Sequence, residues 1–327
     1  MAELNQFIER GRITDSRHFA ARWGELSLLF GGLETRTPVF IAGSPAIGKS
    51  SLLTHVVQSA AINLERFDLR AFSLDLAVAQ SDADVYRVLI EALGRKGNTS
   101  RVLHDTLVAS DGRTLLCLDN ADAVLAQEWA VPLLDDFARL SRVGLLMLVV
   151  AQDGEPPILS ERVAVVRLGA FSLAEVRLMS EAYLEGTGVS FTARNLRRLH
   201  QLSVGHPAYL QRAAYHLFVA KLDPDYNWVA AYLAEAKERP IPGAPLPPAV
   251  FEGASGAASE GYDDDAPIAV PPPPTFDIDV PSASWLYGLP ILLGLVVGLA
   301  LRQAWLGFAL ALIGLAAVTL ALRAQKH

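Results

Sequence analysis

The chain has 327 residues, enough for one or two domains with appendages, and 51% of them are apolar, giving a mean hydropathy of +0.29. Its net charge of −7 is concentrated between Arg239 and Ser284, where Glu252, Glu260, Asp263, Asp264, Asp265, Asp277 and Asp279 face Arg239 alone. No basic footprint of the kind a nucleic-acid module carries is visible, which makes nucleic acid an unlikely partner. The lone Cys117 excludes an internal disulfide and fits a reducing cytoplasm. It lies in an apolar run, so it reads as a core residue rather than a nucleophile.

The opening "MAELNQFIERGR" lacks an apolar core of signal-peptide length, so the N-terminus is expected to stay in the cytoplasm. Residues 1–36 read as a helical lead-in. Over residues 37–170, short apolar runs alternate with helical patterns, the rhythm of a parallel sheet covered by helices. "TPVFIA" (37–42), "RAFSLDL" (70–76), "TLLCLD" (114–119), "VGLLMLVVAQ" (143–152) and "VAVVRL" (163–168) read as five strands. Several are apolar throughout, as strands buried on both faces should be.

From 171 to 238 the strand signals stop. Ser172 and Glu175 stand at capping-box spacing before a helix that closes on Gly186, and helical patterns follow near 191–203, 207–221 and 225–238. That is a small all-helical domain behind an α/β domain. Residues 239–284 hold 11 of the 19 prolines, with "PPPP" at 271–274. Such a composition cannot bury enough apolar surface to offset its ordering entropy, and it reads as a disordered tether, as a coil spanning on the order of 40 Å.

Residues 285–323 are apolar except for Arg302-Gln303 and the closing Arg323. One bilayer-spanning helix needs about 20 apolar residues, so 285–322 suits two helices turning at Arg302-Gln303. The alternatives are one spanning and one interfacial helix, or a hydrophobic hairpin buried in a complex. Trp285, Tyr287 and Trp305 suit interfacial positions, and Arg323 and Lys326 favour a cytoplasmic C-terminus. Gly294 with Gly298, and Gly307 with Ala311, have the spacing of close helix packing, weak evidence for self-association. The expected localisation is the cytoplasmic membrane, with the soluble domains inside.

"GSPAIGKS", from Gly43 to Ser50, is a full G-x-x-x-x-G-K-S between an apolar strand and a helical pattern. Gly43 and Gly48 let the backbone curl so that the amides of Ser44, Pro45's neighbours Ala46 and Ile47, and then Lys49 to Ser51, surround phosphate oxygens. Lys49 brings a positive charge to the β- and γ-phosphates, Ser50 offers its hydroxyl to Mg²⁺, and the helix dipole adds to both. Asp119 ends its strand 70 residues after Lys49, where a carboxylate can hold Mg²⁺ through water. Gln152 ends the next strand, within reach of a γ-phosphate or attacking water. The cofactors implied are ATP or ADP with Mg²⁺.

"GSPAIGKSSLL", "LLCLDNAD", the polar strand end at Gln152 and the trailing helices together resemble an AAA+/STAND ATPase, nearest to the origin-recognition-like and novel STAND branch of bacteria. "FAARWGEL" (19–26) resembles that branch's opening box, with Phe19, Arg22, Glu25 and Leu26 matching and Ala21 replacing a glycine. This resemblance implies that Arg22 lines the adenine pocket. "GHPAYLQ" (205–211) is similar to the lid's Gly-x-Pro box, implying that Pro207, with His206, senses the nucleotide. Arg162, Arg194, Arg197 and Arg198 fall where such families place phosphate-sensing or partner-reaching arginines. The likeness covers about 13–238 and implies an α/β fold, a P-loop NTPase sheet of five parallel strands with a helical lid. An ABC-type reading fails because "LSVGH" (202–206) follows Asp119 by 83 residues instead of preceding it. A small-molecule kinase would leave the two outer boxes and the tail unexplained.

Most AAA+ members have Glu after the magnesium aspartate, and here Asn120 stands there. An amide can orient water but cannot take its proton, so slow hydrolysis is expected. Asp122 is the only nearby carboxylate that could substitute for that Glu, and it is expected first of all to cap the following helix. Three functions remain open: a membrane-anchored switch ATPase that couples nucleotide state to lid position and to self-association or a partner protein, a nucleotide-dependent membrane adaptor without significant turnover, and an origin-recognition-like loader or motor.

Overall fold

The computed structural model describes residues 5–8, 10–251 and 268–269. The expected apolar hairpin at 285–322 and most of the tether lie outside the described residues. Among the described residues no helix is long and apolar enough to cross a membrane.

Five strands form one parallel sheet: β1 (Val39–Gly43), β2 (Leu69–Asp75), β3 (Arg113–Asp119), β4 (Met147–Asp153) and β5 (Ala164–Leu168), in the order β2-β3-β4-β1-β5. The sequence placed all five, with ends shifted by one or two residues except at the start of β4. β4 begins at Met147 rather than at Val143, because Val143 caps the preceding helix and Gly144 turns the chain at φ 81°.

Strand side chains alternate between faces, and each face takes its own helices. Val39, Ile41, Leu115, Cys117, Val149 and Ala151 face α1 (Trp23–Glu34) and α2 (Lys49–Asn63). Phe40, Leu116, Leu118, Leu148 and Val150 face α3 (Asp82–Ala92), α4 (Ser100–Val108) and α5 (Ala130–Arg142). The central strands are therefore apolar on both sides, whereas edge strand β2 is only partly buried. Burial pushes the Cys117 thiol far above its ordinary range, so it is an inert core residue.

The lid consists of α6 (Leu173–Leu184), α7 (Ala193–Ser203), α8 (Pro207–Leu222) and α9 (Trp228–Glu238). Ser172 and Glu175 make the expected capping box. The lid core holds Val176, Tyr183, Leu199, Leu210, Phe218 and Tyr232, and two outside segments enter it. Phe7, fully buried, stacks on Tyr183 at 4.9 Å between ring centres. Ile241 and Ala249 are buried on the other side, where the Ile241 amide donates to the Tyr209 hydroxyl at 3.2 Å.

Residues 240–251 thus pack on the lid instead of starting the tether, since average composition concealed their apolar side chains. Ile268 also contacts the lid. With Arg177, Leu184, Val189, Phe191 and Leu196 it lines a groove of about 670 Å³, and its carbonyl accepts from Arg177 at 2.8 Å. Among the described residues, the lead-in is likewise helical only at α1 and in a short turn, Gln6–Ile8. Residues 10–22 instead form an irregular strap, which contains Ala21 and Arg22 at φ 70° and 63°. Ala21, standing where the resembled box has glycine, therefore occupies a left-handed conformation that glycine adopts without strain.

Candidate functional site

Parallel registry brings the carboxyl ends of β1, β3 and β4 to one edge. Gly43 pairs with Asp153, Leu118 with Val150, and Asp75 with Asp119. Ligands of open α/β sheets bind at this edge. Between β1 and α2 the 44–48 loop needs its glycines for different reasons. A Cβ on Gly43 would lie 2.9 Å from Ile47 Cγ2 and 3.0 Å from the Leu168 carbonyl. Gly48 has open space around it but takes φ 104°, a conformation side chains rarely adopt.

Lys49 Nζ donates to the carbonyls of Gly43 (3.1 Å) and Ser44 (2.7 Å) and pairs with Asp153 Oδ1 at 2.5 Å. Asp153 did not figure among the sequence candidates. Its one signal is its place beside Gln152, on the opposite face of the same strand end. Ser50 Oγ donates to Asp119 Oδ1 at 3.0 Å, so the two expected magnesium ligands are together. Asp119 is 3% exposed, and its Oδ2 accepts from the Arg12 guanidinium. Ser51 Oγ accepts from the Ile13 amide at 3.0 Å.

Asn120 sits past the end of β3 at φ 53°, and its Nδ2 donates to Asp75 Oδ1 at 2.9 Å. Asn tolerates this backbone better than most residues. Gln152 is fully buried; its Nε2 donates to the Glu155 carbonyl at 2.6 Å, while its Oε1 has no partner. The expected capping role of Asp122 is overturned. α5 begins only at Ala130, too far along the chain, and Asp122 Oδ1 instead accepts from the Asp153 amide at 2.9 Å.

Arg22 of the strap and His206 of the lid bond to the loop. Arg22, 5% exposed, donates to the carbonyls of Ile47 (3.3 Å) and Gly169 (2.7 Å), pairs with Glu25 at 2.8 Å and stacks over Phe171 at 4.6 Å. It braces the loop against the start of the lid. His206 Nε2 lies 3.3 Å from the Pro45 carbonyl while its Nδ1 is buried without a partner. Burial lowers the His206 pKa and the Lys49 charge adds to this, against the opposing Pro45 bond, so the ring stays neutral near pH 7. Pro207 opens α8, a position that suits its fixed φ. Arg162 is exposed before β5, and Arg194, Arg197 and Arg198 lie on α7, with Arg197 buried.

A cavity of about 60 Å³ lies beside Gly48 and Ser51. Its walls come from the strap (Ile13, Phe19), the loop (Ile47) and the lid (Phe171, Met179, Pro207). The lining is apolar enough for a base, but the space is smaller than a purine, so entry requires strap or lid to yield. The phosphate end fits its expected group as well. Hard oxygen donors (Ser50, Asp119) stand beside the Lys49 ammonium, which is the donor chemistry Mg²⁺ with phosphates requires.

No family model matches the chain, and no curated protein matches it. Solved structures do. The Aeropyrum pernix ORC1 protein in complex with DNA aligns at TM-score 0.51 and 16% identity, covering 66% of this chain and 65% of that one. A Walker-type ATPase of Pyrococcus abyssi aligns at 0.51 and 14%, covering 71% and 76%, and Drosophila ORC bound to DNA at 0.51 and 15%, covering 72% and 66%. The chain thus spans just under two thirds of the two origin-recognition chains. At these identities the likeness speaks for architecture alone. A five-stranded parallel sheet with Lys49, Ser50 and Asp119 gathered at one edge, in a chain that aligns with these proteins, is an α/β P-loop NTPase-like fold.

Proposed function

We propose that the chain is a nucleotide switch: it binds ATP or ADP with Mg²⁺, hydrolyses ATP slowly, and converts nucleotide state into lid position. The observation that carries this reading is that one small cavity beside the P-loop is walled jointly by strap, loop and lid. A base entering there displaces at least one of the three walls.

Lys49 would exchange its carbonyl and Asp153 contacts for phosphate oxygens. Ser50 and Asp119 would hold Mg²⁺, which supplies charge neutralisation on the phosphates when bound. Asn120 has no basic oxygen to take a proton from water, and its amide is engaged by Asp75. That supports slow turnover. His206, which touches the loop through the Pro45 carbonyl, gives the lid a contact that a shift of the loop would break.

Membrane tethering through residues 285–322 belongs to this proposal on the strength of their apolar sequence, as does signalling by self-association or through a partner protein. The test is amide exchange on full-length protein with Mg-ADP against a Mg²⁺ complex of a non-hydrolysable ATP analogue. Differential protection in α6 and at residues 205–211 is expected. Identical lid protection in both states, with both nucleotides bound, would overturn the switch.

A second reading, an ATPase acting on DNA, draws on the DNA held in two of the similar structures. The missing basic footprint weighs against it. Salt-sensitive DNA binding by the full chain would favour it.

A further inference from the structure

The strap carries one charged side chain into the centre of the phosphate site. Arg12 sits on Asp119 Oδ2, the magnesium carboxylate's second oxygen, while Oδ1 is taken by Ser50 and the Asn120 amide. The two partners differ in their surroundings. The Asp119 side chain is 4% exposed and needs a cation, whereas the Arg12 side chain is 43% exposed and can return to water.

The strap is fixed at both ends. Toward the lid, Asn5 Nδ2 donates to the Tyr215 carbonyl at 3.2 Å, Phe7 is buried in the lid core, and Arg10 pairs with Glu235 on α9. Toward α2, the Ile13 amide donates to Ser51 Oγ at 3.0 Å and Gln58 Nε2 donates to the Thr14 carbonyl at 2.9 Å.

We propose that Arg12 is a tethered counter-ion for Asp119 that Mg²⁺ with nucleotide displaces, and that its release loosens the strap between the site and the lid. This rests on reading the P-loop as a Mg-nucleotide site. In the empty protein the guanidinium neutralises a buried carboxylate that would otherwise stand alone. In the loaded protein the same oxygen faces the metal's coordination sphere, and guanidinium and metal cannot both occupy it. The metal therefore competes with a group held at high local concentration by the strap. Because the strap ends in the lid core, its freedom is coupled to the lid by the same exchange.

The experiment measures binding of a fluorescent ADP analogue to the full chain at increasing Mg²⁺, with thermal melts of empty and Mg-ADP-loaded protein. Arg12→Ala is expected to lower the Mg²⁺ concentration giving half-maximal binding about fivefold, the scale of one partly exposed ion pair. Arg12→Lys should fall between it and the wild type. The empty variant should melt several degrees lower than the empty wild type, while the loaded forms melt together. In an Asp119→Asn background, Arg12→Ala should have no further effect on the empty protein. An unchanged Mg²⁺ requirement overturns the exchange, as does weaker ADP binding, which would place Arg12 on the phosphates. An equal loss of melting temperature in both states would make it merely structural. In the wild type, amides 10–14 should exchange faster with Mg-ADP than without; equal or slower exchange also overturns the proposal. Failure of the wild type to bind nucleotide at all would instead sink the underlying site.

Discussion

The two ends of the proposed nucleotide site are built on opposite principles. The phosphate end is full of charge already paired within the chain: Lys49 with Asp153, Asp119 with Arg12 and Ser50. The base end is a small apolar space between three segments far apart in sequence. Binding at the first is therefore an exchange of partners, and binding at the second is a displacement of walls. Affinity would come mainly from the phosphates; the base would report occupancy to the lid, and the γ-phosphate, acting through the loop and its His206 contact, would separate ATP from ADP.

Breaking the phosphate end should cost most. Lys49→Ala is expected to weaken ADP binding on the order of a hundredfold, the loss of about 3 kcal/mol for a charge-assisted contact, in a fluorescent-nucleotide titration. Filling the base end separates the two regions. Ala208→Trp, in the cavity wall, should weaken ADP about tenfold and leave inorganic pyrophosphate binding unchanged. An equal loss for both ligands would mean that the cavity does not hold the base.

The chemistry of the phosphate end can be sharpened at residue 120. Asn120→Glu alone would place a longer side chain in a left-handed backbone and a carboxylate near Asp75. Paired with Asp75→Asn, the same change should raise single-turnover hydrolysis by about tenfold, the lower end of general-base effects. No gain in the double variant would remove Asn120 from the account of slow turnover. The smallest effect is on pH. Burial depresses the His206 pKa first of all, so the unfolded chain takes up a proton near pH 6.5 before the folded one does. Stability should fall as pH drops below about 6.5, and His206→Asn should flatten that slope in thermal melts. His55, also lowered by burial, adds a slope of the same sign, which remains in the variant.

The contrast between the two ends also explains what the sequence could reveal. Gly43 to Ser50 is a contiguous motif whose spacing is set by backbone geometry, and Asp119 ends an unbroken apolar strand, so both were legible. The five strands were legible because burial on both faces leaves continuous apolar runs. Asp153, Asp75 and Arg12 were not, since each acts through a partner 45 to 107 residues away and sits in no local pattern. Asp122 illustrates the same limit from the other side. Local spacing suggested a cap, yet a tertiary contact with the end of β4 claimed its carboxylate. The proposed base end was suggested only by resemblance, through Arg22 and Pro207. The structure puts both on its wall but spends the Arg22 guanidinium on bracing the loop. The tether misled at residues 240–251 because proline content says little about a few well-placed apolar side chains such as Ile241.

The central claim is that this site holds nucleotide far longer than it hydrolyses it. Steady-state ATP turnover by the full-length protein, measured beside its affinity for ATP, tests this most directly. Saturable binding with turnover below about 0.1 per second, in the range of unassisted switch GTPases, is the expected result. Turnover above several per second, as in ordinary enzymes, would contradict it.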